Sequence, residues 1–276
     1  MPELPEVETI VRQLRPHVLN KKITNVQVFR PGQWKQSNPD DAAKVLAGDS
    51  FADISRRAKF ITLKLASDYM LVIHLRMSGK LMWVQNCEPL NQYTRTLFCL
   101  EDDTSLQFND TRALGTIDLY APVTKPECLE KLGIEPLENH LNEIILKELL
   151  SSSRLEIKDF LMNQNKVCGI GNIYANEILF HCKIHPQRKT NTLTSVEIKH
   201  LAQTIPAVLK KAIERMGTTL GNSASDFRTV YNIEGDFQSL LKVYGRAGES
   251  CDKCGTEIIR IVQKGRSSFV CENCQK

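Results

Sequence analysis

The sequence predicts an α+β multidomain chain: an N-terminal antiparallel β-sandwich with flanking helices, a helical C-terminal domain, and a final four-cysteine β-hairpin. Three observations carry this. Short segments with alternating apolar residues fill positions 23–120, the apolar period turns helical beyond position 140, and two CxxC pairs lie between positions 251 and 274.

The 276 residues leave room for two domains and a small appendage, and 42% hydrophobic with 25% charged residues is ordinary globular composition. No apolar run approaches the roughly 20 residues of a membrane span, and the acidic start has no signal-peptide core. A cytoplasmic protein with reduced thiols is therefore expected. A net charge of +4 is too small by itself to name a polyanionic partner. Cys87, Cys99, Cys128, Cys168 and Cys182 are scattered and read as buried small hydrophobes or inert thiols.

Taken in order, Val7, Ile10, Val11, Leu14 and Val18 fall on one stripe of a helix that runs from about Pro5 until Pro16 disturbs it. Extended segments follow at 23–28, 60–65, 69–75, 80–84, 94–100, 104–108 and 115–120, with a short helix at 40–46 and a hairpin turn at Glu101-Asp102-Asp103. Strands at this spacing suggest a sandwich. Prolines and Gly133 mark a linker between 121 and 136, after which helical periods return at 141–150, 155–162, 172–181 and 195–215. Residues 217–238 lack periodicity and are rich in Gly, Ser and Asn, as a lid or binding loop would be. These bounds give domains at 1–130, 131–245 with the loop 217–238 inside it, and 246–276.

Cys251, Cys254, Cys271 and Cys274 form two CxxC pairs separated by 16 residues, which supplies four thiolates for a tetrahedral ion. One structural zinc is expected, with no open position for chemistry. Between the pairs, 258–263 and 268–270 read as a hairpin. Its turn, Lys264-Gly265-Arg266, is either a solvated turn or a finger that offers Arg266 to a phosphate.

The first six residues, Met1-Pro2-Glu3-Leu4-Pro5-Glu6, hold a second constellation. Once Met1 is removed, Pro2 is a secondary amine. With a sugar aldehyde such an amine forms an iminium that stays positively charged and withdraws electrons from neighbouring C–H bonds, so elimination follows. An unperturbed α-amino group has a pKa of about 8, far nearer the reactive form at neutral pH than lysine. Glu3 stands beside it as a general acid or base, and Glu6 lies one helical turn on. The same residues also read as a helix start, with Pro5 at the first position and Glu3, Glu6 and Glu8 at the positive end.

Residues 155–177 read as a helix, a turn with Gly169 and Gly171, and a second helix that starts at Asn172. That is either an anion site on a helix N-terminus or a tight turn between packed helices. Arg56-Arg57-Ala58-Lys59 and His74-Leu75-Arg76-Met77-Ser78-Gly79-Lys80 place cations at strand ends, where they track a phosphate backbone or merely keep the surface soluble. Met77, apolar on a turn, is core or a wedge for a base stack.

The motifs MPELPEVET, RRAKF, HLRMSGKL, FNDTRALG, KVCGIGNIYANE, KVYGRAGESC and KGRSSFVCENCQ, in this order and from end to end, closely resemble the bacterial formamidopyrimidine-DNA glycosylase family. The related endonuclease VIII group usually has Gly where this chain has Leu4. The resemblance implies a helix-two-turn-helix motif in the helical domain and an enzyme that acts on damaged double-stranded DNA. Such an enzyme flips oxidised purines out of the duplex, cuts the glycosidic bond through a Schiff base on Pro2, and nicks the strand by β- and δ-elimination.

It further implies Glu3 as the acid that protonates the opening sugar, Lys59 in β-elimination and Arg266 in δ-elimination. The implied DNA contacts are Glu6, His74, Met77, Arg112, Leu114, Arg154, Lys158, Asn172 and Glu177, with Arg112 facing the orphaned cytosine. This chain departs from the family's pattern in three places. Leu114 stands where Phe is common, residues 92–94 lack a histidine often offered to DNA, and the loop after Leu220 is several residues longer. Two further classes compete with a glycosylase: a DNA-binding protein without chemistry, and a small-molecule enzyme with an N-terminal proline. The intact Pro2, Glu3, Lys59 and Arg266 argue against the first, and the four-cysteine finger against the second. A monomer in the bacterial cytoplasm, on the nucleoid when bound to DNA and without a membrane partner, is expected.

Overall fold

The computed structural model of the protein describes residues 2–137, 141–221, 223 and 226–276. The chain forms two compact units, Met1–Glu130 with Arg215–Gln238, and Lys131–Glu214 with Ser239–Lys276. The loop 217–238 falls in the first of these units and the cysteine hairpin in the second.

The first unit contains α1 (Leu4–Val18), β1 (Ile23–Val28), α2 (Pro39–Leu46), β2 (Phe51–Arg57), β3 (Phe60–Leu65), β4 (Met70–His74), β5 (Gly79–Val84), β6 (Thr94–Leu100), β7 (Ser105–Asp110), β8 (Thr116–Tyr120) and α3 (Glu127–Glu130). Two antiparallel sheets, ordered β1-β6-β7-β5 and β2-β3-β4-β8, make the expected sandwich. β2 is an eighth strand that the sequence does not announce. A bulge between Phe51 and Asp53 breaks its alternation, so Phe51 and Ile54 are buried three positions apart. α1 continues past Pro16 to Val18, because a proline in the last turn removes a single intrahelical bond. α3 falls inside the predicted linker.

The apolar stripe of α1 packs into one core with both sheets, where Leu14, Phe51, Ile54, Phe98 and Phe108 are fully buried. Burying five such aliphatic residues of α1 is worth roughly 10 kcal/mol of transfer free energy, which fixes the helix and with it the chain's first residues. Cys87 and Cys99, expected as buried small hydrophobes or inert thiols, lie side by side. They meet with Cα atoms 5.4 Å apart, a separation that a disulfide spans.

The loop 217–238 has its own anchors. Phe227 and Val230 join the sandwich core, the Val230 carbonyl accepts from Trp83 N–H, and Arg228 pairs with Glu234 at 2.9 Å. Its base is close-packed on α1: a Cβ at Gly217, whose φ is +79°, would lie 2.7 Å from Glu6 Oε1, and one at Gly235 would lie 2.3 Å from the Gly217 carbonyl. Gly217→Ala is therefore expected to cost about 2–4 kcal/mol through strain and overlap. Thermal unfolding measures it, and an unchanged midpoint would contradict the packing.

The second unit contains α4 (Glu143–Ser151), α5 (Ile157–Leu161), α6 (Asn172–Cys182), α7 (Ser195–Glu214), β9 (Ile259–Gln263) and β10 (Arg266–Val270). β9 and β10 form the predicted hairpin, but the turn is only Lys264-Gly265, with φ of 46° and 76°. Arg266 is thus the first residue of β10, opposite Gln263, and points outward as an exposed side chain.

Candidate active site

Pro2 and Glu3 are both buried at the head of α1. A reciprocal capping box holds them: the Glu3 carboxylate accepts from the Glu6 N–H, and Glu3 N–H donates to Glu6 Oε2 at 2.8 Å. Glu6, 1% exposed, also accepts from Thr218 N–H at 2.7 Å through Oε1. Glu6, expected as a DNA contact, thus has internal partners. Its two oxygens tie the N-terminal arm to the base of the loop 217–238, a partner more than 200 residues away in sequence.

Lys59 lies in the two-residue turn between β2 and β3 and is 6% exposed. That turn is tied to α1. Arg56 donates to Glu8 at 2.9 Å and to the Ala58 carbonyl at 3.0 Å. Burial raises the Glu8 carboxyl, but Arg12 and Arg56 outweigh it and hold the group below the ordinary carboxylate range. One ion pair thus fixes the Lys59 turn against the helix that carries Pro2 and Glu3.

His74, opposite Phe60 in the β3–β4 register, stacks edge-on against that ring at 4.5 Å. Its Nδ1 accepts from Arg76 N–H at 3.0 Å, which leaves the proton on Nε2 as a neutral donor suited to a phosphate oxygen. Burial first, then the charges of Arg76 and Lys59, push the imidazole down to about 3. Below pH of about 6.5 the unfolded chain binds a proton that folded His74 refuses, so stability falls as pH drops from about 6.5 toward 3, by at most about 1.4 kcal/mol per pH unit. His74→Asn keeps an acceptor for Arg76 N–H and removes this titration. Its melting point is expected to fall less than the parent's between about pH 7 and pH 5; parallel curves would contradict the assignment.

Met77 and Leu114 are exposed apolar side chains, 44% and 47% accessible, and Arg112 is exposed between them on the loop after β7. Apolar side chains held out on turns are the form a wedge takes.

In the second unit the turn before α6 is clamped by Gln164, which accepts from Gly169 N–H and donates to the Met162 and Ile170 carbonyls. Asn172 opens α6, half-buried, and its Oδ1 has no hydrogen-bond partner. Arg154 is exposed, as a surface contact requires. Two other residues expected as DNA contacts have internal partners. Lys158, 1% exposed, donates to the Ser267 carbonyl at 2.7 Å and to Ser268 Oγ at 2.6 Å. Glu177, also 1% exposed, accepts three backbone N–H groups from Lys242, Val243 and Tyr244 at 2.8–3.0 Å, while burial raises its carboxyl. Both are internal struts. Lys158 and Asn176, whose Oδ1 accepts from Phe269 N–H, hold the hairpin that carries Arg266 on α5 and α6, and Glu177 holds the segment 242–244 that leads into the cysteine finger.

The four cysteines converge, with all their Sγ atoms within 4.8 Å of one another and near pairs at 3.4 and 3.9 Å. Thiolates at about 2.3 Å from a tetrahedral zinc would stand about 3.8 Å apart, so the donor set fits that ion. Val243 and Ile258 pack beneath it against Phe180.

Family models match three stretches: the formamidopyrimidine-DNA glycosylase N-terminal domain at residues 1–117, its H2TH domain at 132–224, and the zinc finger found in FPG and IleRS at 248–276. A formamidopyrimidine-DNA glycosylase of Brevibacillus brevis is 40% identical over all of this chain and 99% of its own length, and one of Rickettsia conorii 38% over the same shares. Among solved structures, a Lactococcus lactis FPG variant in complex with a Fapy-dG-containing DNA is 33% identical with TM-score 0.90, covering 100% of both chains. The Lactococcus lactis Fpg with an abasic-site DNA gives 33% and 0.90 over 99% of each.

Proposed function

The chain belongs to the formamidopyrimidine-DNA glycosylase family, and on that premise we propose that it removes oxidised purines such as 8-oxoguanine and formamidopyrimidines from duplex DNA and then cuts the strand. The observation that carries the reading is the buried Pro2-Glu3 arm, locked by the capping box and tied through Glu8 and Arg56 to the Lys59 turn.

The Pro2 nitrogen lone pair attacks C1′ of the flipped nucleotide, the C1′–N bond breaks with its electrons going to the base, and the departing base takes up the proton that the Pro2 nitrogen gives up. Glu3 protonates O4′ as the sugar opens, leaving an iminium at C1′. Its positive charge acidifies the C2′ hydrogen; loss of that proton expels the 3′ phosphate, and a second elimination expels the 5′ phosphate. Lys59 serves the first elimination and Arg266 the second. Water then hydrolyses the iminium and frees Pro2.

His74, Asn172 and Arg154 hold backbone phosphates, and Met77, Arg112 and Leu114 fill the gap left by the base. When bound, zinc fixes the fold of the finger that presents Arg266 and takes no part in the reaction. Among the described residues no helix is long and apolar enough to cross a membrane, and we place the enzyme in the cytoplasm as a monomer, on the nucleoid when bound to DNA.

The test is a labelled duplex with one 8-oxoguanine opposite cytosine, resolved on a denaturing gel. Cleavage that leaves phosphate on both flanking ends is expected. Binding without cleavage would instead indicate a DNA-binding protein that lacks the chemistry. In the same assay Lys59→Ala is expected to slow strand cleavage more than base release and to flatten the salt dependence of binding by about one unit of slope. An unchanged slope would mean that Lys59 does not face phosphate.

A further inference from the structure

Two connections cross between the sheets side by side. Residues 75–78 lead from β4 in one sheet to β5 in the other, and residues 111–115 lead back from β7 to β8. Register pairs Gly79 with Asp110 and His74 with Thr116, so the crossings begin and end together. The first crossing carries Met77 and the second carries Arg112 and Leu114.

Asp110, fully buried, joins them. Its Oδ1 accepts from Ser78 Oγ at 2.5 Å and from Arg112 N–H at 3.2 Å, and its Oδ2 accepts from Gly115 N–H at 2.8 Å and Gln33 Nε2 at 3.0 Å. Ser78 Oγ in turn accepts from Arg112 N–H at 3.2 Å. Each crossing also holds a non-glycine residue at positive φ, Arg76 at 52° and Ala113 at 51°, a conformation that persists only where surrounding bonds over-determine it. Neither crossing has slack: a Cβ at Gly79 would lie 2.5 Å from the Leu75 carbonyl oxygen, and one at Gly115 2.5 Å from Phe108 Cζ.

We propose that Asp110 is a positioning residue that yokes the two crossings into one rigid probe, and that this rigidity sets how the enzyme reads the base opposite the lesion. The proposal rests on the reading of Met77, Arg112 and Leu114 as the residues that enter the duplex. Prising apart a base step costs a few kcal/mol, so a wedge on a compliant loop deflects instead of opening the stack. Discrimination by Arg112 likewise needs its fork held to within about half an ångström. A carboxylate with two donors on each oxygen supplies that stiffness. An isosteric amide would set its own N–H groups against two of the four donors.

The experiment compares single-turnover base release from duplexes with 8-oxoguanine opposite cytosine and opposite adenine, for the parent, Asp110→Asn, Ser78→Ala and Arg112→Ala. Borohydride trapping on a duplex with a preformed abasic site is measured beside it. Asp110→Asn is expected to lower the cytosine-over-adenine ratio about tenfold and Ser78→Ala about threefold, with abasic-site trapping within about twofold of the parent. If Asp110→Asn does not fold, Ser78→Ala decides alone. A ratio that both leave unchanged while Arg112→Ala lowers it overturns the yoke. Equal loss in base release and trapping overturns it too, since that is general damage. A ratio unchanged in Arg112→Ala overturns the reading of Arg112 itself, and the proposal with it.

Discussion

Pro2→Gly is expected to lower the rates of base release and strand cleavage by about two orders of magnitude or more, and with them the yield of the adduct that borohydride traps between this protein and lesion-bearing DNA. The reason is electronic as well as steric. Proline gives an iminium that cannot lose a proton from nitrogen, so its charge persists through both eliminations, whereas a primary amine forms an imine that relaxes to a neutral state. Blocking the terminus by retaining Met1 or by acetylation removes the nucleophile outright and is expected to abolish chemistry while leaving duplex binding within about tenfold. Binding survives because the phosphate contacts supply most of the affinity. Trapping that persists in a blocked protein would place the nucleophile elsewhere.

Removing the zinc has the second large effect. Four thiolates gathered within 4.8 Å repel one another without a cation, and only a small apolar cluster of Phe180, Val243, Ile258 and the cysteines lies beneath them. Metal binding here is folding energy, on the order of 10 kcal/mol, far more than that cluster can replace. Chelation, or Cys271→Ser, is therefore expected to unfold residues 246–276 and lower DNA affinity by at least about a hundredfold. The helices and the sandwich keep their circular dichroism. The finger's failure removes Arg266 together with the Ser267 and Ser268 groups that Lys158 holds. An apo protein that binds duplex as tightly as the zinc form would show that the finger contributes no contact.

Local pattern made most of this fold legible, and its failures have physical causes. The stripe of α1, the strands β1, β3 and β6, the turn after Leu100 and the CxxC pairs are written within windows of a few residues. β2 was hidden by a bulge, which shifts the alternation on which strand recognition depends. The site was legible as a list of residues and illegible as a set of roles. A charge in a sequence does not say which partners it meets in the fold, and Glu6, Lys158 and Glu177 meet internal ones. Their long-range partners are backbone N–H groups or hairpin atoms between 65 and 212 residues away. Asp110 shows the converse. It lies inside the FNDTRALG motif, but its bonds to Ser78 and Gln33 exist only once two crossings between sheets are brought side by side.

The most direct measurement is the mass of the trapped peptide. The protein is reduced with borohydride on an 8-oxoguanine duplex, digested, and its DNA-modified fragment sequenced by mass spectrometry. An adduct on the nitrogen of a fragment that begins at Pro2 is the predicted result. An adduct on Lys59 or any other lysine, with the Pro2 fragment unmodified, would contradict the account.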